Sequence, residues 1–240
     1  KVIEDSCETM FAAHGGRMCG SLGDIGCFST YVAHLIVTGV GGINTTSDPD
    51  YAVLLRSLAN HGRDSIYISI DDDKGGDGAH RREVISKRFR FTSIGFSNRI
   101  TELEAALGCA ALDDWGEMIR RRRENAGRLI ARLAPIEDRL QLPSIRPGSD
   151  HSFMMFPIVL RDRPKRGLVE HLEFRGIETR DMLPLTNQPA LQREAGVRED
   201  DYPVAKWINE SGFYVGCHQD LGVEEMEHVA EEIAVYLRNG

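Results

Sequence analysis

The pattern between residues 101 and 135 limits the fold of this chain more than any other feature. Thr101-Glu102-Leu103-Glu104 is a capping box, a threonine whose hydroxyl takes a helix amide while a glutamate three residues on reaches back. It opens a helix that leads past Asp113 into a second, amphipathic helix ending near Pro135. Short strand patterns lie on both sides of this pair. Residues 2–5 read as a short buried strand with Asp5 at its carboxyl end, residues 24–31 as a second strand and residues 42–46 as a third. Ser47-Asp48-Pro49 starts a helix, with a capping acid or hydroxyl and a proline in the first turn, and His61-Gly62 ends it. Residues 62–98 form a long connection holding the acidic, glycine-rich stretch 71–78, a length that is usually functional or mobile. Pro, Gly and Ser mark residues 143–150 as a boundary between two parts. Beyond it come a strand (152–160), a helix (166–174), a short strand (177–179), a strand (212–216) and a closing helix (223–238). The mixture of strands and helices after the boundary makes that part α+β.

The 240 residues carry a net charge of −8, which argues against a nucleic-acid binder. Arg120 to Arg123 form the one strong basic cluster, inside a helical pattern and followed by Glu124, so the run reads as a solvated helix face. The five cysteines are scattered, odd in number and without a CxxC pair, which speaks against a disulfide framework or a zinc site and fits a reducing cytoplasm. No run of about 18 apolar residues is present and no signal-peptide pattern is seen, so neither a membrane span nor secretion is expected. The chain opens on Lys-Val-Ile-Glu-Asp rather than Met, with a strand pattern that starts at once, and so reads as a piece of a longer protein.

Several residues could carry chemistry. A carboxylate at the carboxyl end of a parallel strand points into the crevice where α/β proteins bind ligands, and Asp5 has that position; a helix cap is the equal alternative. Ser29 leaves the second strand with a hydroxyl able to donate to a phosphate. Five residues on, His34 could move protons near neutral pH, although a lone histidine is more often structural. Thr38-Gly39-Val40-Gly41-Gly42 lets backbone approach a ligand or turn through positive φ.

In order, Val2-Ile3-Glu4-Asp5, Gly20-Ser21-Leu22-Gly23-Asp24-Ile25-Gly26-Cys27-Phe28-Ser29 and Thr38-Gly39-Val40-Gly41-Gly42 closely resemble the cofactor-binding strand-loop-strand of the DegT-type nucleotide-sugar aminotransferases. The resemblance continues through Asn60-His61-Gly62-Arg63, Gly95-Phe96-Ser97-Asn98-Arg99, Thr179-Arg180, Pro203-Val204-Ala205 and the last helix. It implies fold type I of the pyridoxal-phosphate (PLP) enzymes. Residues 1–142 would be the C-terminal part of a three-layer α/β/α large domain and residues 143–240 a small α+β domain, the N-terminal part of the large domain being absent. It further implies pyridoxal or pyridoxamine 5'-phosphate as cofactor, a nucleotide-sugar substrate, glutamate as amino donor and a homodimer. Carried over by position, Asp5 pairs with the pyridine nitrogen, Ser29 binds the cofactor phosphate, and Glu8 stands where members place glutamine or an acid against the ring hydroxyl. Ser97 stands where an asparagine reaches the partner's phosphate, and Arg180 lies in a pattern lining the substrate side.

One position departs. The aminotransferases carry lysine five residues after the phosphate serine, whereas this chain reads Ser29-Thr30-Tyr31-Val32-Ala33-His34. Histidine cannot hold the cofactor covalently but can act as a base. The sugar 3-dehydratases have histidine here, in Tyr-Pro-Ala-His, and Tyr31-Val32-Ala33-His34 is similar, as is Gly212-Phe213-Tyr214-Val215-Gly216 to their late strand. The resemblance implies a pyridoxamine-phosphate-dependent 3-dehydratase in deoxysugar and polysaccharide biosynthesis, with His34 as base. An aminotransferase with a mutated lysine, or an inactive binding homologue, remain the alternatives. One dehydratase branch binds an iron-sulfur cluster through clustered cysteines; residues 62–98 contain none, so no cluster or other metal is expected.

Overall fold

The computed structural model describes residues 1–64 and 77–239. Most of the acidic, glycine-rich stretch 71–78 lies outside them. The chain divides into two compact units, Lys1–Asp114 and Trp115–Gly240. The helix Trp115–Leu133, the strand Leu140–Gln141 and the Pro/Gly/Ser-rich residues 143–150 all belong to the second.

The first unit is built on β1 (Ile3–Asp5), the small strands β2 (Ala13–His14) and β3 (Arg17–Met18), β4 (Ile25–Ser29) and β5 (Gly42–Thr45). β1 runs parallel to β4, with Asp5 opposite Cys27, and β5 runs antiparallel to β4, with Gly42 opposite Ser29. β2 and β3 form a hairpin whose turn, Gly15-Gly16, has positive φ at both residues, the geometry glycine adopts most freely. Among the described residues three helices follow: α1 (Pro49–Ala59), α2 (Gly78–Lys87) and α3 (Glu102–Leu112). The Asp48 carboxylate caps α1 through the amides of Asp50 and Tyr51. Thr101 and Glu104 form the expected capping box on α3. α2 interrupts a connection that reads as irregular in the sequence; Asp77 caps it at Ala79 and His80, and only Val84 of its side chains is buried.

The apolar pattern of Val2 and Ile3 reads as a buried strand, yet Ile3 is 66% exposed. Among the described residues β1 pairs with one strand, β4. α3 is rich in Ala and Leu but buries no side chain. The buried apolar side chains described in this unit are Met10, Ala12, Leu35, Ile36 and Val84.

The second unit consists of α4 (Trp115–Leu133), β6 (Leu140–Gln141), β7 (Ser149–Asp150), β8 (Phe156–Leu160), α5 (Arg166–Phe174), β9 (Thr179–Asp181), α6 (Pro189–Ala195), α7 (Pro203–Ser211), β10 (Gly212–Val215) and α8 (Val223–Asn239). Its main sheet has the order β6-β8-β10-β9, all antiparallel. One continuous core joins the sheet (Leu140, Phe156, Ile158, Leu160, Phe213, Val215) to α4 (Ala126, Leu129, Leu133), α5 (Leu168, Leu172) and α8 (Met226, Ile233, Leu237). Residues 118, 122, 125, 129 and 133 mark the buried stripe of α4 at helical spacing.

One residue on that stripe, Arg122, corrects the reading of residues 120–123 as a solvated face. Arg120 is solvated and pairs with Glu117 and Glu124, but Arg122 is buried. Its guanidinium donates to the Gln219 side chain at 2.8 Å and to the carbonyls of Met154 at 3.1 Å and Phe153 at 3.3 Å. Asn125 donates to the carbonyls of His218 and Leu221 at 2.8 and 3.1 Å. Buried donors need such acceptors, because an unsatisfied one costs about 1–3 kcal/mol.

Candidate active site

The parallel pair β1 and β4 sets the geometry. Asp5 ends β1 and Ser29 ends β4, so both functional groups leave the sheet at carboxyl ends. Ser29 lies two residues beyond the register partner of Asp5, about 7 Å further along the strand direction. Strand alternation sends Glu4 to the opposite face from Asp5. There its carboxylate accepts the amides of Gly20, at 2.8 Å, and Gly23, and fixes the loop that enters β4. Desolvation pushes the Glu4 carboxyl up, but the amides of Gly23, Gly20 and Leu22 pull it down, and the amides win.

After β1 the chain turns back on β4. The Ser6 amide donates to the Cys27 carbonyl at 2.8 Å, and the Cys7 Sγ stands 3.9 Å from the same oxygen. The Cys7 amide donates to Asp5 Oδ1 at 3.3 Å. The Asp5 carboxyl is held below its ordinary value, first by a hydrogen bond from the Cys7 thiol, then by the Cys7 amide, and further by the field of His34. Asp5 is therefore an anion at neutral pH, and His34 lies within its electrostatic reach. Glu8 is exposed on the same turn, close enough for its charge to raise the Cys7 thiol.

His34 sits in a loop closed at its base. The Thr30 amide donates to the Gly41 carbonyl at 3.1 Å, the Thr38 amide donates to the Thr30 carbonyl at 2.9 Å, and the two threonine hydroxyls meet at 2.7 Å, both side chains buried. Gly41 belongs to this clasp: at its φ of +149° a Cβ would stand 2.8 Å from Thr30 Oγ1 and 2.9 Å from the Ile100 side chain. Within the loop the His34 amide donates to the Tyr31 carbonyl at 2.9 Å, and the two rings meet edge-on, 6.4 Å apart. Leu35 and Ile36 behind it are buried. The imidazole Nδ1 is buried and has no hydrogen-bond partner among the described residues, an uncommitted position for a polar atom. The Ser29 hydroxyl accepts the Tyr31 amide at 3.2 Å.

Asp5, Glu8, Ser29 and His34 thus share one end of the sheet. Ser97, in the same unit, is not joined to them by any interaction among the described residues. Ser97 bridges to Asn60, and its hydroxyl accepts from Arg99, whose guanidinium also reaches Asn60 Oδ1 at 2.8 Å and stands 3.3 Å from His61 Nε2. Arg180 lies on β9 of the second unit, where it pairs with Glu178 and donates to the Thr179 carbonyl. Sequence reasoning missed Glu4, Cys7 and the Thr30–Thr38 clasp. Period-two alternation could have found Glu4; no local pattern points to the other two. No group of three His, Cys, Asp or Glu side chains among the described residues could hold a metal ion.

Asp5, Ser29 and His34 gather an anionic carboxylate, a hydroxyl and an uncommitted imidazole at the carboxyl ends of a parallel pair, the place where α/β folds commonly hold ligands. The groups suit a phosphorylated, nitrogen-containing ring, with an anion for a protonated nitrogen and a hydroxyl for a phosphate. The chain belongs to the DegT/DnrJ/EryC1/StrS aminotransferase family, whose profile matches residues 1–234. It is 28% identical over 232 residues to the GDP-perosamine synthase of Caulobacter vibrioides, covering 95% of this chain and 56% of that protein. To the GDP-4-keto-6-deoxy-D-mannose 3-dehydratase of Escherichia coli O55:H7 it is 25% identical over 239 residues, 96% of this chain and 59% of that one. Among solved structures, it is similar to the aminotransferase TlmJ from Streptoalloteichus hindustanus, with a TM-score of 0.81 and 26% identity over 99% of this chain and 58% of that one. The fold is therefore that of the PLP-dependent sugar aminotransferases, fold type I, as the sequence resemblance implied. The chain spans about half the length of the relatives it matches. No helix among the described residues is long and apolar enough to cross a membrane.

Proposed function

We propose that this chain carries the catalytic strand-loop-strand of a pyridoxamine-phosphate-dependent 3-dehydratase acting on a 4-keto nucleotide sugar. The observation that carries the reading is His34, uncommitted at Nδ1 and five residues after Ser29, where the aminotransferases have lysine. The described lysines of the first unit support it. Lys1 is paired with Asp24 at 3.1 Å and Lys87 with Glu83 at 2.7 Å, so neither is a ready substitute.

When bound, the cofactor supplies an amine and an electron-accepting ring. Asp5, already anionic, holds a proton on the ring nitrogen by pairing with it. Ser29 donates to the phosphate. Glu8 faces the ring hydroxyl. Ser97 donates to the phosphate held by a second copy of the chain, and Arg180 contributes to the substrate side. His34 accepts and returns a proton at an imidazole nitrogen, and the buried Thr30–Thr38 clasp keeps its loop from drifting. Glutamate would be the amino donor, and the assembly would be a cytoplasmic homodimer in polysaccharide biosynthesis. The domain division proposed for the whole enzyme is a large domain contributing residues 1–142 and a small domain of residues 143–240.

Borohydride treatment of the holoenzyme followed by peptide mass spectrometry tests this, together with product analysis on a 4-keto nucleotide sugar. The expected result is no pyridoxyl-lysine and a 3-deoxy product. A pyridoxyl-lysine adduct would overturn the dehydratase reading in favour of transamination, and no turnover at all would favour an inactive homologue.

A further inference from the structure

The segment that carries Ser97 is stitched to the end of α1. The Phe96 amide donates to the Leu58 carbonyl at 2.7 Å, the His61 amide donates back to the Phe96 carbonyl at 2.7 Å, and the Asn98 amide donates to the Ala59 carbonyl at 3.3 Å. Glycine permits this close approach, since a Cβ on Gly95 would stand 2.6 Å from the His61 carbonyl carbon and 2.8 Å from the Leu58 oxygen. Ser97 is thereby held opposite Asn60, its bridge partner, with its side chain exposed. The backbone fixes where Ser97 sits but not where its hydroxyl proton points. Arg99 supplies that second constraint. Its guanidinium donates to Asn60 Oδ1 at 2.8 Å and to Ser97 Oγ at 3.2 Å, and it stands 3.3 Å from His61 Nε2. Asn60 is buried at the C-terminal end of α1, so the fork is anchored on a fixed acceptor.

A guanidinium carries donors and no acceptor. Ser97 Oγ can therefore only accept from Arg99, and the single hydroxyl proton is left for an acceptor outside the cluster. The charge on the donor also polarises the O–H bond, which strengthens the hydrogen bond the hydroxyl gives to an anion. An asparagine, the residue the resemblance implies at this position, has its donors fixed in the amide plane. A serine proton turns freely about the C–O bond, so a serine needs a neighbour to aim it. We propose that Arg99 is a positioning residue: anchored on Asn60, it holds the Ser97 hydroxyl with its proton turned outward for the cofactor phosphate of a second copy of the chain. The inference rests on the reading of Ser97 given under Proposed function, since aiming the hydroxyl matters only if Ser97 meets that phosphate.

The test is a double-mutant cycle on cofactor affinity. Fluorescence titration of the whole enzyme gives the dissociation constant of pyridoxamine 5'-phosphate in wild type, Ser97→Ala, Arg99→Met and the double variant, and urea unfolding of each cofactor-free protein is measured beside it. Ser97→Ala should weaken binding about tenfold or more, the loss of one hydrogen bond to a charged group. Arg99→Met should weaken it about three- to tenfold in the wild-type background and not at all in the Ser97→Ala background, because it acts through that hydroxyl. The phosphorus-31 resonance of the bound cofactor should move in the same direction in both single variants. Arg99→Lys keeps the charge but not the planar fork, and should lose affinity as Arg99→Met does; it also carries the same cycle should Arg99→Met fail to fold. Undiminished affinity in Arg99→Met, an equal loss with and without the Ser97 hydroxyl, or full affinity in Arg99→Lys would each overturn the positioning role. After an equal loss, a lowered urea midpoint would mark Arg99 as a prop of the loop and an unchanged one as a direct ligand of the phosphate. Unchanged affinity in Ser97→Ala would show instead that Ser97 does not meet the phosphate. The reading of Ser97 then falls, and the positioning role falls with it.

Discussion

Replacing Gly26 with alanine would put a methyl group into a place where β4 and the loop before it touch backbone to backbone. A Cβ built at Gly26 stands 2.5 Å from the Gly20 Cα and 2.7 Å from its carbonyl carbon, and closer still to its oxygen. Ordinary contact begins near 3.4 Å, so clearing the carbonyl oxygen requires the loop and strand to part by about 1.2 Å, and neither partner is a flexible side-chain end that could swing away. The loop cannot retreat freely either. The Gly20 amide is bound by Glu4 at 2.8 Å, and the Gly20 carbonyl accepts the Thr45 hydroxyl at 2.7 Å. Overpacking of this kind costs about 1–3 kcal/mol, and loss of one of these two hydrogen bonds places Gly26→Ala toward the upper half of that range. Urea unfolding followed by far-ultraviolet circular dichroism measures it. Gly127→Ala is the matched control: a Cβ there meets nothing, and the position is inside α4, so the substitution should stabilise by about 0.5–1 kcal/mol. Because β4 ends in Ser29, Gly26→Ala should also weaken cofactor phosphate binding. An unfolding midpoint for Gly26→Ala equal to or above wild type would show that the loop relaxes without cost, and the steric argument would be wrong.

Other substitutions and conditions test the site and the second unit. His34→Asn should slow proton removal by about a hundred- to ten-thousand-fold in single-turnover absorbance with a 4-keto nucleotide sugar, with cofactor binding kept; a wild-type rate would make His34 a packing residue. Asp5→Asn, nearly isosteric, should cut turnover by orders of magnitude with the circular dichroism spectrum unchanged, and an unaltered rate would leave the acid a purely structural part. Burial and the charge of Arg123 hold the imidazole of His151 below its ordinary value, and burial does the same for His218. Both therefore take up a proton more readily in the unfolded chain, so the stability of the second unit should be full above about pH 6.5 and decline as pH falls below it. A urea midpoint constant from pH 7.5 to 5.5 would exclude that cause.

The parts legible in the sequence are those whose cause is local. The Thr101–Glu104 box and the Asp48 cap act within four residues, and α5 occupies the expected residues 166–174. The Gly15-Gly16 turn was local too, and its hairpin was overlooked because each strand is only two residues long. α2 escaped because it lacks an apolar period and buries one side chain. The short strand expected at residues 177–179 lies at Thr179–Asp181, since its register is set by pairing with β10, where Phe213 meets Asp181, and not by its own composition. Arg122 looked solvated because a run of four arginines carries no sign of which one faces the core; the helical phase set by Met118, Leu129 and Leu133 does. In the site, the order of Asp5, Ser29 and His34 could be read directly. The thiol beside Asp5 could not, because it depends on a turn folding back onto a strand twenty residues away.

The unequal cores of the two units bear on how the protein breathes. Among the described residues, the second unit has a continuous buried cluster running through its main sheet and three helices, while the first has five buried apolar side chains. Local opening free energy follows buried contacts, so amides of β1, β4 and β5 should exchange with solvent long before those of β8 and β10. A molecule bound only by the closed form of the first unit would work against that opening, adding about 2.7 kcal/mol at a hundred times its dissociation constant. Cofactor occupancy would then show in hydrogen exchange as slowed amides on β1, β4 and the 30–41 loop, with α4, α5 and α8 unchanged, so that the ligand acts on the first unit as the missing part of its core.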